Sequence, residues 1–285
     1  MHIVGNIIQY TMSKIIVLDL DDTLGHYTQF GAFLDAVTYY FKSEHIDVPF
    51  NQSFFNHCIE LYPEIMRPDI IKILLYLKRK RIQKKYGKLM IYTNNQGPRQ
   101  WALSLISYFE TMVGYKLFDQ LIGAFKINNK KVELCRTSHL KTTSDLIKCA
   151  KIDKQTQICF IDDTYFPNMC ASNVYYINIK PYINHIPFPD MIDRFIQHKR
   201  FDEAWNAANF KSTILQYIHN MAKPTPPPTM TVDEHNIHTI LSKQIINHLD
   251  IFFSKNEHDR VIRQHKTHTR KFRRKKHNKS MRLVY

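Results

Sequence analysis

The chain has 285 residues, 44% of them hydrophobic, and 40 Lys+Arg against 25 Asp+Glu give a formal charge of +15. That apolar content excludes wholesale disorder, and no uninterrupted apolar run approaches the length of a bilayer span. The length suits one ordinary domain with additions, or two small ones. The charge is uneven, because residues 255–285 carry twelve basic and two acidic side chains, which leaves the other 254 residues at +5.

The start, MHIVGNIIQYTMSK, has neither a basic leader nor a small-residue cleavage site, so no secretory signal is expected, and Met12 is a plausible alternative start. Three short apolar runs are read as strands: IIVLD (15–19), LMIYT (89–93) and ICFID (158–162), with VYYINI (174–179) as a fourth. Between them lie helical patterns. RPDIIKILLYLKRKR has Ile70, Ile71, Leu74 and Leu77 at helical spacing behind Pro68. GPRQWALSLISYFETMVG places Ala102, Leu105, Ile106, Phe109 and Val113 on one face, with Gly114 suited to the stop. Strands alternating with helices predict an α/β fold, a mostly parallel sheet covered on both faces.

Residues 25–66 exceed a tight connection and read as a helical insertion, a small lid beside the crevice. KPTPPPT opens a proline-rich linker over 223–232. An amphipathic helix is expected at 233–254, with Ile237, Ile240, Leu241, Ile245, Leu249 and Phe252 on its apolar face. The expected layout is therefore a catalytic domain over 1–222, the linker, this helix, and a disordered basic tail over 255–285.

The five cysteines, Cys58, Cys135, Cys149, Cys159 and Cys170, are odd in number and form no CxxC. Reduced thiols in an intracellular protein, in cytoplasm or nucleus, are the expectation. HNIH (235–238) and HKTH (265–268) lack a nearby cysteine pair, which argues against zinc there.

Chemistry is expected where the strands end, since ligands of open α/β sheets sit beyond the carboxyl ends of the strands. Asp19, Thr93 and Asp162 all stand there. Asp19 and Asp21 are two residues apart, so in extended backbone their side chains point the same way, and two close carboxylates resist joint ionisation. One is then a nucleophile while the other stays protonated as an acid, the division of labour that phosphoryl transfer to water needs. The alternative readings are an acidic turn or helix cap at Asp-Asp-Thr, a turn at Asp162-Asp163, and Thr93 as a plain strand residue.

In these segments the chain resembles the haloacid dehalogenase superfamily of phosphohydrolases, from residue 14 to about 200. DLDDT is similar to that family's DxDx[T/V] motif, LMIYT to its second, Lys141 to its third and FIDD to its fourth. DLDDTL and Arg67-Pro68 resemble the carboxy-terminal-domain phosphatases of RNA polymerase II (NLI-interacting-factor-like). TNNQG looks more like polynucleotide and histidinol-phosphate phosphatases, and YTNNQGPRQW is similar to proteins of large DNA viruses.

The resemblance implies a HAD-like Rossmannoid sheet and Mg²⁺-dependent phosphomonoester hydrolysis. Asp19 would be the nucleophile and Asp21 the acid and base. Thr93 and the Asn94 N–H would hold phosphoryl oxygens, and Lys141 would neutralise charge. Asp19, the Asp21 carbonyl, Asp162 and Asp163 would hold the metal. Lys148 rivals Lys141, and KTTSDL also reads as a solvated lysine before a capped helix. A phosphorylated protein is the first expectation for the substrate. The alternatives are removal of a terminal phosphate from nucleic acid, and a catalytically inactive nucleic-acid-binding or scaffold protein.

The tail RQHKTHTRKFRRKKHNK, with one aromatic, suits non-specific phosphate contact with nucleic acid, a nuclear localisation signal, or plain solubilisation. KRKRIQKK (78–85) is expected to be a helix C-terminus whose cations suit the helix dipole.

Overall fold

The computed structural model describes residues 13–47, 50–198, 207–221 and 229–266, with side chains of the last helix described as far as Ser254. Five parallel strands form the main sheet: β1 (Lys14–Leu18), β2 (Lys88–Tyr92), β3 (Gln120–Ile122), β6 (Gln157–Asp162) and β7 (Val174–Asn178). Their order is β3-β2-β1-β6-β7, so β1 is central. A small antiparallel hairpin, β4 (Lys126–Ile127) and β5 (Lys130–Lys131), follows β3. The helices are α1 (Thr28–Ser43), α2 (Gln52–Glu60), α3 (Ile70–Ile82), α4 (Arg99–Val113), α5 (Thr143–Ala150), α6 (Phe188–Gln197), α7 (Ala207–Met221) and α8 (Val232–Lys266).

The four expected strands are present within a residue or so, because buried aliphatic runs with one sheet face on each side have few other solutions. Side-chain parity then sorts the core. Ile16 and Leu18 of β1 join the larger apolar cluster, which also holds residues of α1, α3, α4 and α8. Ile15 and Val17 face the smaller cluster, with Met90, Tyr92, Ile158, Phe160 and Leu146 of α5. Gly114 closes α4 in the left-handed region at φ 60°, as its place after Val113 predicts.

Several expectations are corrected. Residues 25–66 do form helices, but these are no lid. Phe30, Phe33, Val37, Tyr40 and Phe41 of α1 and Phe55, Cys58 and Ile59 of α2 lie in the same cluster as the sheet. Aromatic density explains it, since Phe30 alone lies within 6.0 Å (ring centroids) of Phe55, Tyr62 and Trp101.

The last helix runs twelve residues past its expected end, to Lys266, into what composition marks as tail. Its buried side is also rotated. His238, Ser242, Ile245, Leu249, Phe252 and Phe253 are covered, whereas Ile237 and Ile240 are 43% and 56% exposed. Polar contacts fix that rotation, with His238 against Arg67 and Ser242 donating to the Pro68 carbonyl at 2.6 Å.

Cys135 and Cys149 form a disulfide, with Cα atoms 5.1 Å apart, against the expectation of reduced thiols throughout. The turn after β5 brings Cys135 to the last turn of α5, a juxtaposition that sequence spacing does not announce. In the cluster 78–85, Arg81 pairs with Asp119, Lys80 with Asp250, and Lys78 donates to the Val113 carbonyl. His238 of HNIH is occupied by Arg67. HKTH from residue 267 on, residues 1–12, most of the proline-rich linker and tail residues 267–285 lie outside the described residues. Among the described residues no helix is long and apolar enough to cross a membrane.

Candidate active site

Parity carries two acids to one place. Asp19 continues the odd-numbered face of Ile15 and Val17, and Asp162 the even-numbered face of Ile158 and Phe160, so both point to the α5 side of the sheet. β1 and β6 are neighbours in register, and the Asp19 N–H donates to the Ile161 carbonyl at 2.9 Å. The two carboxylates are thereby adjacent by construction.

Lys141 reaches them from the loop before α5. Its Nζ donates to Asp19 Oδ1, and to Asp162 Oδ2 at 2.6 Å. Its side chain is 2% exposed. Burial works against its charge, but the two carboxylates outweigh that and hold its pKa above the ordinary lysine value. Lys148 is solvent-exposed in the last turn of α5 and takes no part. Thr142 caps α5 by accepting from the Asp145 N–H at 3.0 Å, which fixes where that helix starts and so where Lys141 stands.

Asp163 completes the acidic group. Carboxylate oxygens of Asp19, Asp162 and Asp163 all lie within 4.8 Å of one another. Asp163 Oδ1 accepts from the Thr23 hydroxyl at 2.9 Å, and its own N–H donates back to Thr23 Oγ1. Burial first, and Asp19 nearby, push the Asp163 carboxyl up, and burial likewise raises Asp162.

Asp21 stands slightly apart from the other three. Its Oδ2 accepts from Asn95 Nδ2 at 2.8 Å, while its Oδ1 is buried without a hydrogen-bond partner. Burial pushes Asp21 up to about 6; the Asn95 amide pulls the other way and the Asp19 charge adds to the rise. Asp22, in the left-handed region at φ 57°, turns its carboxylate to His26 Nδ1 at 2.7 Å. It lies outside the acidic group.

Thr93 is buried at the end of β2, where its N–H donates to the Ile122 carbonyl and its Oγ1 accepts from the Asn95 N–H at 3.0 Å. Asn94 Oδ1 accepts from Arg136 Nη2 at 2.8 Å. Thus the Thr93–Asn95 turn touches the acids through Asn95, and Lys141 joins Asp19 to Asp162.

Sequence reading misses two residues here and the role of a third. Asn95 is the direct partner of Asp21. Arg136, fully buried, donates to the carbonyls of Thr93, Gly123 and His139 as well as to Asn94, and so holds the turn after β2. Arg67 donates to the carbonyls of Thr23 (2.6 Å), Asp22 (2.7 Å) and Lys180 (2.8 Å), bracing the acidic loop from behind. An Arg before Pro is visible in the sequence. That it serves backbone carbonyls is not.

No family model, curated protein or solved structure matches the chain. The likeness of the four motifs to phosphohydrolases therefore rests on the residues that carry it. Hard carboxylate oxygens in a group of three, Asp19 and Asp162 buried and Asp163 half-buried, suit a metal ion. Among the described residues Lys141 is the one cation paired with Asp19 and Asp162, and Asp21 Oδ1 nearby is buried without a hydrogen-bond partner.

Proposed function

We propose that the chain is a Mg²⁺-dependent phosphomonoester hydrolase working through an aspartyl-phosphate on Asp19. What carries this reading is the Lys141 ammonium set between Asp19 and Asp162, with Asp163 alongside, at the carboxyl ends of the neighbouring strands β1 and β6.

Asp19, Asp162, Asp163 and the Asp21 carbonyl would hold the metal, whose charge when bound lets an anionic phosphoryl group approach a carboxylate. The residues of the chain do the rest. Asp19 attacks phosphorus as the bond to the leaving oxygen breaks, and protonated Asp21 gives its proton to that oxygen. The ionised Asp21 then takes a proton from water, which attacks the phosphoryl group, frees phosphate and restores Asp19. Lys141 offsets the charge of Asp19 before attack and of the phosphoryl oxygens afterwards, while the Thr93 hydroxyl and the Asn94 N–H orient those oxygens. The raised pKa of Asp21, about 6, suits a group that is acid in one half and base in the other.

The test is hydrolysis of an aryl phosphate with and without Mg²⁺. The expected result is metal-dependent turnover that falls by about three orders of magnitude or more in Asp19→Asn, since a lost nucleophile has no substitute. A wild-type chain inert with Mg²⁺ and Mn²⁺ would overturn the reading in favour of a non-catalytic binding protein.

A further inference from the structure

One covalent bond encloses part of the proposed site. Cys135 follows β5 and Cys149 stands in the last turn of α5, so their disulfide closes a ring of chain that carries Lys141. The same ring holds Arg136, which donates to the Thr93 carbonyl and to Asn94 Oδ1, and Thr142, which caps α5. The groups that place the Lys141 ammonium and the turn after β2 therefore share one cross-link.

The rest of what holds this ring is thin. Residues 132–142 form neither helix nor strand, and the apolar side chains of Leu134 and Leu140 are 75% and 56% exposed. They give the segment little grip on the core. Polar contacts remain, with Asp145 Oδ2 accepting from the Thr137 N–H at 2.8 Å and the Arg136 N–H donating to the Glu133 carbonyl at 3.1 Å. A segment with few buried apolar contacts opens more readily than the sheet it leans on. Closing the ring restricts those open states.

The two sulfurs differ in access. Cys149 is buried, whereas Cys135 is half-buried between exposed Leu134 and buried Arg136. An incoming thiolate meets Cys135 Sγ first and forms a mixed disulfide as the bond to Cys149 breaks. Cys149 leaves as a thiolate and takes up a proton. The second thiolate of the same reductant then attacks the reductant's own sulfur and displaces Cys135, which is protonated in turn. Two electrons pass to the protein, and the dithiol ends as a disulfide. Both freed thiols have a place. Glu133 Oε1, 3.3 Å from Cys135 Sγ, can accept from one, and the apolar cluster around Leu146 and Ala150 suits the other in its neutral form.

We infer that Cys135 and Cys149 are a redox-responsive pair whose disulfide fixes Lys141 between Asp19 and Asp162, and whose reduction by a dithiol loosens the ring and slows turnover. The effect on rate rests on the hydrolase reading; the loosening does not.

The experiment titrates the full chain with dithiothreitol under native conditions, counting thiols by alkylation as they rise from three to five. Amide hydrogen exchange at Thr137, Asp145 and Leu146 is expected to quicken roughly tenfold or more in the five-thiol chain, with β1, β2 and β6 unchanged. Aryl phosphate turnover with Mg²⁺ is expected to fall by about tenfold or more over the same titration and to return with oxidised glutathione, as the Lys141 charge is lost from and restored to the acids. Cys135→Ser with Cys149→Ser should sit in the slow state and ignore dithiothreitol. If that variant does not fold, the wild-type titration decides. Unchanged exchange in the five-thiol chain would overturn the inference. So would quickening spread evenly over the sheet, or full turnover after reduction. Failure of the hydrolase reading shows separately, as absence of turnover by the oxidised wild type, and the exchange pattern still decides whether the bond holds the ring.

Discussion

The amide of Asn95 donates to Asp21 Oδ2 and thereby stabilises the ionised carboxyl against the effect of burial. Asn95→Ala removes that help, so the Asp21 pKa rises above about 6. On the proposed mechanism, an aryl phosphate, whose leaving group needs little acid help, is expected to be turned over at a rate limited by the step that uses ionised Asp21 as base. Its rate rises with pH through the Asp21 pKa, and the variant's rising limb is expected at higher pH. A pH–rate profile that does not move would separate Asn95 from the acid.

Arg136 acts on stability instead, because its removal strips partners from the buried Thr93 carbonyl and the half-buried Gly123 carbonyl. Arg136→Met is expected to cost about 3 kcal/mol in denaturant unfolding, from unsatisfied buried groups. Single residues show how far a sequence can be read. Asp19, Asp162 and Thr93 were legible because each ends an apolar strand. Asn95 and Arg136 were not, since their partners lie 74 and 43 residues away and no local pattern encodes such a contact.

The elements that brace the site carry their own tests. α8 meets the acidic loop through His238, whose Nδ1 accepts from Arg67 Nη1 at 3.1 Å and which must be neutral to do so. Burial first, then the nearby Arg67 charge, lower its pKa from 6.5 to about 4. The unfolded chain therefore takes up this proton before the folded one does. The stability it confers is full above about pH 6.5 and is lost as pH falls from there towards 4. His238→Gln, which keeps an acceptor and cannot titrate, is expected to flatten the unfolding midpoint over that window.

The segment between Cys135 and Cys149 carries Arg136, Lys141 and the capped start of α5. In non-reducing denaturant, alkylation is expected to modify three cysteines, Cys58, Cys159 and Cys170, and all five after reduction. Closing a loop of this length is worth roughly 3 kcal/mol, so reduction should lower the unfolding midpoint. Element existence was legible from periodicity, whereas element partners were not. Apolar spacing on α8 counts Ile237 and Ile240 as buried, yet the helix turns to satisfy Arg67 and Pro68. Likewise, an insertion rich in Phe and Tyr belongs in the core, although its position in the chain suggests a lid.

At the scale of the molecule, the parallel sheet followed from strand–helix alternation. Its order β3-β2-β1-β6-β7 did not, because order depends on crossovers that leave no mark on strand composition. The central position of β1 gathers the acids, with β2 and β6 as its neighbours on either side. One further contact spans nearly the whole described chain. Lys14, the first residue of β1, donates through Nζ to the carbonyls of Phe252 and Phe253 on α8. β1 thus finds these partners only after residues 252 and 253 have left the ribosome. Synthesis must run well ahead of completed folding, the central strand waits for the last helix, and a chain stalled before residue 252 leaves the tunnel without its latch.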